Sequence, residues 1–205
     1  MHASLNTNTT CHQPTIYRFY GAKLRNWRFR RWPPPLHWRQ TPLGIFNHPT
    51  RCNILITPQG AIVTDPLNKK AATWLKEQIK TRFNVPVKYV VYSHNHSDHI
   101  YGAEVFKSPH TTFVAHKLTA QDIKNTKIKT VMPNLTFDDE LILSLGGSIL
   151  KLNYHGPNDG RGSVSMLFEK QKTLFVVDWI VIGRMPWQKL WSYDIQGMIN
   201  STQRF

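Results

Sequence analysis

The densest run of chemically capable side chains in this 205-residue sequence is His94-Asn95-His96-Ser97-Asp98-His99, three imidazoles and a carboxylate within six residues. Neutral imidazole and carboxylate are donors suited to Zn2+, Fe or Mn, so the chemistry on offer is metal ligation. In an extended loop alternate side chains fall on the same side, which aims His94 and His96 together. A solvated polar turn would be the bland account of such a segment, but four ligand-type residues at this density are uncommon in one. Further along, Asp178 closes the apolar stretch Leu174-Phe175-Val176-Val177. A carboxylate there is costly unless it caps a helix, pairs with a cation or binds a metal.

The elements that must carry these groups are legible around them. Asn53–Thr57 and Ala61–Thr64 read as β-branched strands joined by a hairpin at Pro58-Gln59-Gly60. From Asn68 to Phe83, apolar Ala71, Trp74, Leu75, Ile79 and Phe83 recur at helical spacing, which predicts an amphipathic helix with a basic outer face. The strand at residues 87–92 runs straight into the histidine cluster, which therefore sits beyond a strand's carboxyl end, where open α/β sheets hold reactive groups. Asp98 and His99 turn into a helix, and a strand at 112–115 and a helix at 118–124 follow, giving β-β-α-β-α-β-α. After Pro133 strands dominate, at 141–145, 148–154, 165–168 and 173–177, with Gly146-Gly147 as a turn. Sheets covered by outer helices fit this order best.

With the flanking residues added, Ser93-His94-Asn95-His96-Ser97-Asp98-His99-Ile100-Tyr101-Gly102 resembles the H-x-H-x-D-H signature of metallo-β-lactamase-fold hydrolases. The resemblance spans about residues 52 to 199 and places four of that superfamily's five motifs in order. It implies an α+β fold, the αβ/βα four-layer sandwich of that type, with its second half incomplete. It assigns Asp65, in Ile62-Val63-Thr64-Asp65-Pro66, to orienting the metal loop without binding metal. It assigns His155, in Asn153-Tyr154-His155-Gly156-Pro157, to the third motif and Asp178 to the bridging carboxylate. The implied ligands are His94, His96 and His155 for one Zn2+ and Asp98, His99 and the shared Asp178 for a second. Asp98 would also be catalytic, orienting a metal-bound hydroxide. The family's final ligand is a histidine well after the bridging aspartate, and this sequence has none after His155. The expectation is a chain that ends early, a weakly held second zinc and reduced activity. Loss of part of one sheet would expose an edge and apolar surface, favouring a homodimer or aggregation.

Charge divides the chain. Of the formal +14, residues 1–64 supply +8, with Lys23, seven arginines and no acid before Asp65. Residues 1–50 show neither strand nor helix periodicity and are expected to form a basic, disordered segment, leaving 51–205 as the catalytic domain. Arg25 to Trp32 could serve nucleic acid or an anionic membrane, but the moderate charge of the remainder does not favour a nucleic-acid role. Cys11 and Cys52 are too few for a disulfide framework or a thiolate zinc site. No window is apolar enough to span a bilayer, and no signal-peptide pattern opens the chain, so as written it is expected to be cytoplasmic.

Three functions remain open. The first is a zinc-dependent hydrolase of a small-molecule cyclic amide or ester, of β-lactam or lactone type. The second is a metal-dependent nuclease of the same fold, and the third a metal-binding remnant without turnover. Gly156-Pro157-Asn158-Asp159-Gly160-Arg161-Gly162-Ser163 resembles the β-lactamase-like branch, with Asn158 or Arg161 as candidate anchors for a substrate carboxylate against the simpler reading of a plain turn. Met185 and Trp187 are candidates for a substrate groove or for loop packing.

Overall fold

A computed structural model describes residues 53–180 and 192–204, together with the backbone strand Thr15–Arg18. In chain order the strands of the first sheet are β1 (Thr15–Arg18), β2 (Asn53–Thr57), β3 (Gly60–Thr64), β4 (Val87–Val91), β5 (Thr112–His116) and β6 (Leu135–Phe137). They lie side by side in that order, with β1, β2 and β3 antiparallel and β3 to β6 parallel. Parallel neighbours require crossovers. These are supplied by α1 (Lys69–Phe83) between β3 and β4, and by α2 (Ser97–Ile100) with a 3-10 turn at Ala103–Phe106 between β4 and β5. The helix α3 (Lys117–Thr126) lies between β5 and β6. The second sheet is an antiparallel meander of β7 (Glu140–Leu145), β8 (Ser148–Tyr154), β9 (Val164–Phe168) and β10 (Thr173–Phe175), and α4 (Ile195–Thr202) follows.

Strand alternation builds two cores from the first sheet. Ile54, Ile56, Ala61, Val63, Val90 and Tyr92 face the helices and pack with Leu75 and Ile79 of α1, Ile100, Phe106 and Ile123. Their neighbours Leu55, Ile62, Val91 and Val114 face the other way, onto Leu150, Leu152, Val164, Met166 and Phe168 of the second sheet. Because both faces of β2 to β5 are covered, these strands read as continuous apolar runs. The solvent face of the second sheet shows the opposite pattern, Ile142 and Ser144 being exposed where Leu143 and Leu145 are buried.

The expected α+β architecture is the one observed, with helices over one sheet and a second sheet stacked beneath it. Helix α1 begins where Asn68 accepts the Ala71 N–H at 3.0 Å and ends at Asn84 in the left-handed conformation. The stretch expected as a strand at 173–177 stops at Phe175, and Asp178 adopts a positive φ of 62°. Strand β6 and helix α4 are not among the elements expected from the sequence. Within residues 1–50, read as a tail, Thr15–Arg18 forms a strand paired with β2. The rest of that segment, with Cys11 and the Arg/Trp run, lies outside the described residues, as do Cys52, Met185 and Trp187. No helix among the described residues is long and apolar enough to cross a membrane.

Candidate metal centre

Four loops converge here, those that follow β3, β4, β8 and β10. Strand β3 delivers Asp65, whose N–H donates to the Val91 carbonyl of β4 at 2.9 Å and whose φ of 50° turns the chain sharply away from the sheet. Strand β4 continues through Tyr92 and Ser93 into His94 and His96, and α2 starts there. The loop is tied down on both sides, the Val164 N–H donating to the Ser93 carbonyl at 3.0 Å and the Leu67 N–H to the His99 carbonyl at 2.8 Å. Gly102 follows α2 at φ 83°, and a Cβ there would collide with the backbone of Asn68. The position thus lets the histidine loop fold against the start of α1.

Buried Asp65 is the hub of this arrangement. Its Oδ1 accepts the Ser93 N–H at 2.8 Å, its Oδ2 accepts the Ser93 hydroxyl at 2.6 Å, and His99 Nδ1 lies 3.0 Å from the same Oδ2. Ser93 Oγ is also 2.8 Å from His94 Nδ1. Since the serine proton goes to the carboxylate, which can only accept, the hydroxyl must accept from His94 Nδ1–H. That assigns the His94 tautomer and leaves its lone pair on Nε2, as a metal ligand needs.

His94 Nε2 faces two carboxylates, Asp159 Oδ2 at 3.7 Å and Asp178 Oδ2 at 4.0 Å, while His96 Nδ1 lies 3.7 Å from Asp159 Oδ1. Donor atoms of His94, His96, Asp159 and Asp178 all lie within 4.8 Å of one another. These separations exceed hydrogen-bond length. They are close to the ~3.4 Å between two ligand atoms that each sit ~2.1 Å from a tetrahedral ion. Imidazole nitrogens and carboxylate oxygens suit a first-row divalent cation, so the four residues fit one. His94 and Asp159 are fully buried, whereas the side chains of His96 and Asp178 are 20% and 13% exposed. The group therefore opens toward His96 and Asp178.

Beside it, His99 Nε2 stands 3.1 Å from Asp178 Oδ2 and 3.6 Å from Asp98 Oδ2, and Asp98 is exposed at the rim. Burial disfavours a charged His99, but hydrogen bonds to Asp178 and Asp65 outweigh it and raise its pKa to about 9.

The sequence-predicted residues are thus divided. His94, His96 and Asp178 come together, with Asp98 and His99 alongside. His155 has its Nε2 2.8 Å from Ser165 Oγ and its ring edge-on to Trp179, 5.7 Å between centroids. Burial, reinforced by Arg204, holds this imidazole below its ordinary pKa. The fourth member of the gathered group, Asp159, stands in the sequence only as part of a Gly-rich turn. Its one signal was a carboxylate four residues beyond a histidine. Ser93, the residue between the strand and His94, was not singled out either. Asn158 is fully buried and braces its own loop, with Nδ2 donating to the Gly156 carbonyl at 3.2 Å and to Ser201 Oγ at 3.3 Å. Arg161 is on the surface, paired with Asp122 through Nε at 3.2 Å.

Comparisons with known proteins agree with this architecture. Residues 49–197 match the family model described as the Metallo-beta-lactamase superfamily. Among solved structures, a metallo-beta-lactamase from Pontibacter korlensis superposes with a TM-score of 0.69 at 24% identity, over 75% of this chain and 71% of that one. The metallo-beta-lactamase IND-7 superposes with a TM-score of 0.65 at 19% identity, over 75% and 72% respectively. At such identity the likeness is one of fold. Among curated proteins, the 2,4-dinitroanisole O-demethylase subunit alpha of Nocardioides sp. (strain JS1661) is 32% identical over 101 residues, 48% of this chain. The match spans 30% of that relative's length.

Proposed function

The chain belongs to the metallo-beta-lactamase superfamily, and we propose that it is a metal-dependent hydrolase whose first ion is held among His94, His96, Asp159 and Asp178. The observation that carries this reading is the convergence of those four donors, two of them buried, from three separate loops. Zn2+ is the expected ion, and Asp98, His99 and Asp178 form the expected second position. A divalent cation bound there would lower the pKa of a coordinated water and polarise the substrate oxygen.

The chain's own side chains prepare that chemistry. Asp65 fixes His94 through the Ser93 hydroxyl and His99 directly, so both rings are oriented before any ligand arrives. Asp98 offers a carboxylate at the exposed rim, 3.6 Å from His99 Nε2, where it can take up a proton from an attacking water. The buried floor formed by His94 and Asp159 keeps bulk solvent from one side of the site, and substrate enters past His96 and Asp178.

For substrate, the first reading is a cyclic amide or ester of β-lactam or lactone type. A second reading, an activated methyl aryl ether, is favoured by the 32% identity to a protein named as an O-demethylase subunit. The test is metal content by atomic emission alongside hydrolysis of a chromogenic cephalosporin, a homoserine lactone and 2,4-dinitroanisole, for the full chain and His96→Ala. Near-stoichiometric metal, with turnover of one substrate that falls in the variant, supports the reading. A purified, folded chain that retains no divalent ion overturns it.

A further inference from the structure

Asp159 and His155 lie four residues apart on the same loop, and the structure treats them differently. The backbone of Asp159 is clamped from several directions. Its N–H donates to Asn158 Oδ1 at 2.6 Å, and its carbonyl accepts the Ser163 hydroxyl. The neighbouring Gly160 N–H donates to the Ser192 carbonyl at 3.0 Å, and the Asp194 N–H to the Asn158 carbonyl at 2.8 Å. Asn158 is itself buried and held by Ser201 of α4. Gly160, at φ 88°, lies so close to Asn95 that a Cβ would sit 3.0 Å from the Asn95 Oδ1, which brings this loop up against the His94–His96 segment. The result is a fully buried carboxylate aimed at both rings, 3.7 Å from His94 Nε2 and 3.7 Å from His96 Nδ1. His155 is directed elsewhere, onto Ser165 and Trp179.

Resting on the metal site proposed above, we infer that Asp159, and not His155, completes the ligand set with His94 and His96, and that the resulting two-imidazole, two-carboxylate site accepts Mn2+ or Fe2+ alongside Zn2+. The reasoning is one of donor chemistry. Two imidazoles with carboxylate oxygen are donors found at Zn2+ and at Fe2+ sites alike, and carboxylate oxygen suits Mn2+, so this set discriminates less among the three ions than three imidazoles would. Exchanging a neutral nitrogen for an anionic oxygen also gives the site two negative charges against the ion's two positive ones. That strengthens the ionic part of binding, which depends little on which first-row metal is present. Zn2+ keeps its intrinsic advantage in the divalent series, but by a smaller margin.

The test is competition titration of the full chain with Zn2+, Mn2+ and, without oxygen, Fe2+, for wild type and for Asp159→His, Asp159→Asn and His155→Gln. Each is accompanied by a thermal melt and by the visible spectrum of the Co2+ form. The expected result is that Asp159→Asn loses about tenfold or more in affinity for all three ions, while His155→Gln keeps wild-type affinity and an unchanged Co2+ spectrum. Asp159→His widens the Zn2+-over-Mn2+ preference relative to wild type. His155→Gln losing metal while Asp159→Asn retains it overturns the ligand assignment. If Asp159→His does not fold, the wild-type preference decides the selectivity claim, because a chain that binds Zn2+ and excludes Mn2+ and Fe2+ at millimolar concentration refutes it. Wild type binding none of the three ions removes the metal-site reading itself and the inference with it.

Discussion

Replacing Ser93 by Ala isolates the link between Asp65 and the histidine loop. In the native protein Ser93 Oγ donates to Asp65 Oδ2 at 2.6 Å and accepts from His94 Nδ1 at 2.8 Å, with Ser93 and His94 both buried. The substitution removes one charge-assisted hydrogen bond and one neutral one, and strands the His94 N–H where water does not reach. Asp65 keeps the Ser93 N–H and His99 as donors. Taking about 1.5–3 kcal/mol for the bond to the carboxylate and about 1 kcal/mol for the other gives a net loss of about 3 kcal/mol. For a chain of this size that is about 6–12 °C in melting temperature. Because His94 is no longer held in one tautomer and orientation, metal affinity should fall about 10- to 100-fold. Denaturant unfolding of the metal-free protein measures the first quantity, and chelator competition measures the second. A Ser93→Ala protein within about 0.5 kcal/mol of wild type, below the ~1–3 kcal/mol expected for one orphaned donor, with unchanged metal affinity would refute the relay from Asp65 through Ser93 to His94.

Other perturbations probe the scaffold. Leu152→Ala, in the core between the sheets where Leu152 is fully buried, should cost about 2–5 kcal/mol in equilibrium unfolding. Gly197 in α4 packs so tightly on Pro157 that a Cβ would overlap the carbonyl oxygen. Gly197→Ala should therefore shift α4 and the loop carrying Asp159, lowering metal affinity together with stability in a combined titration and melt. His116 is buried at the end of β5, stacked on Tyr154 at 4.0 Å, and burial pushes its pKa below 6.5 despite the opposing pull of Asp138. A depressed folded-state value makes the unfolded state the better proton acceptor, so this contribution is complete above pH 6.5 and is lost as pH falls through the folded value. The difference in unfolding free energy between wild type and His116→Gln should shrink on acidification over that window, and a constant difference would contradict it.

How far the sequence alone reached is clearest residue by residue. Asn68, the helical recurrence of Ala71, Leu75 and Ile79, and the β-branched runs of β2 to β5 specify their elements through local periodicity and capping, so α1 and the strands around it were legible. The pairing of His94 with His96 was legible for the same reason, since two side chains on alternate positions of one extended loop need no distant partner to face the same way. Strand β6 has three residues and takes its identity from the neighbour it pairs with, β5, so no period announces it.

The choice between His155 and Asp159 has a different origin. Both follow β8 within five residues, in a stretch rich in Gly and Pro. Which one points at His94 depends on positive φ at Gly156 and Gly160, on buried Asn158, and on hydrogen bonds from residues 192–194 more than thirty positions away. Ser93 is similar, because its hydroxyl acquires meaning only when β3 brings Asp65 beside it. Local periodicity determined where the strands end and the loops bearing the candidate ligands begin. The tertiary structure decided which side chains on those loops meet, because that depends on contacts between segments whose separation in sequence carries no periodic signal.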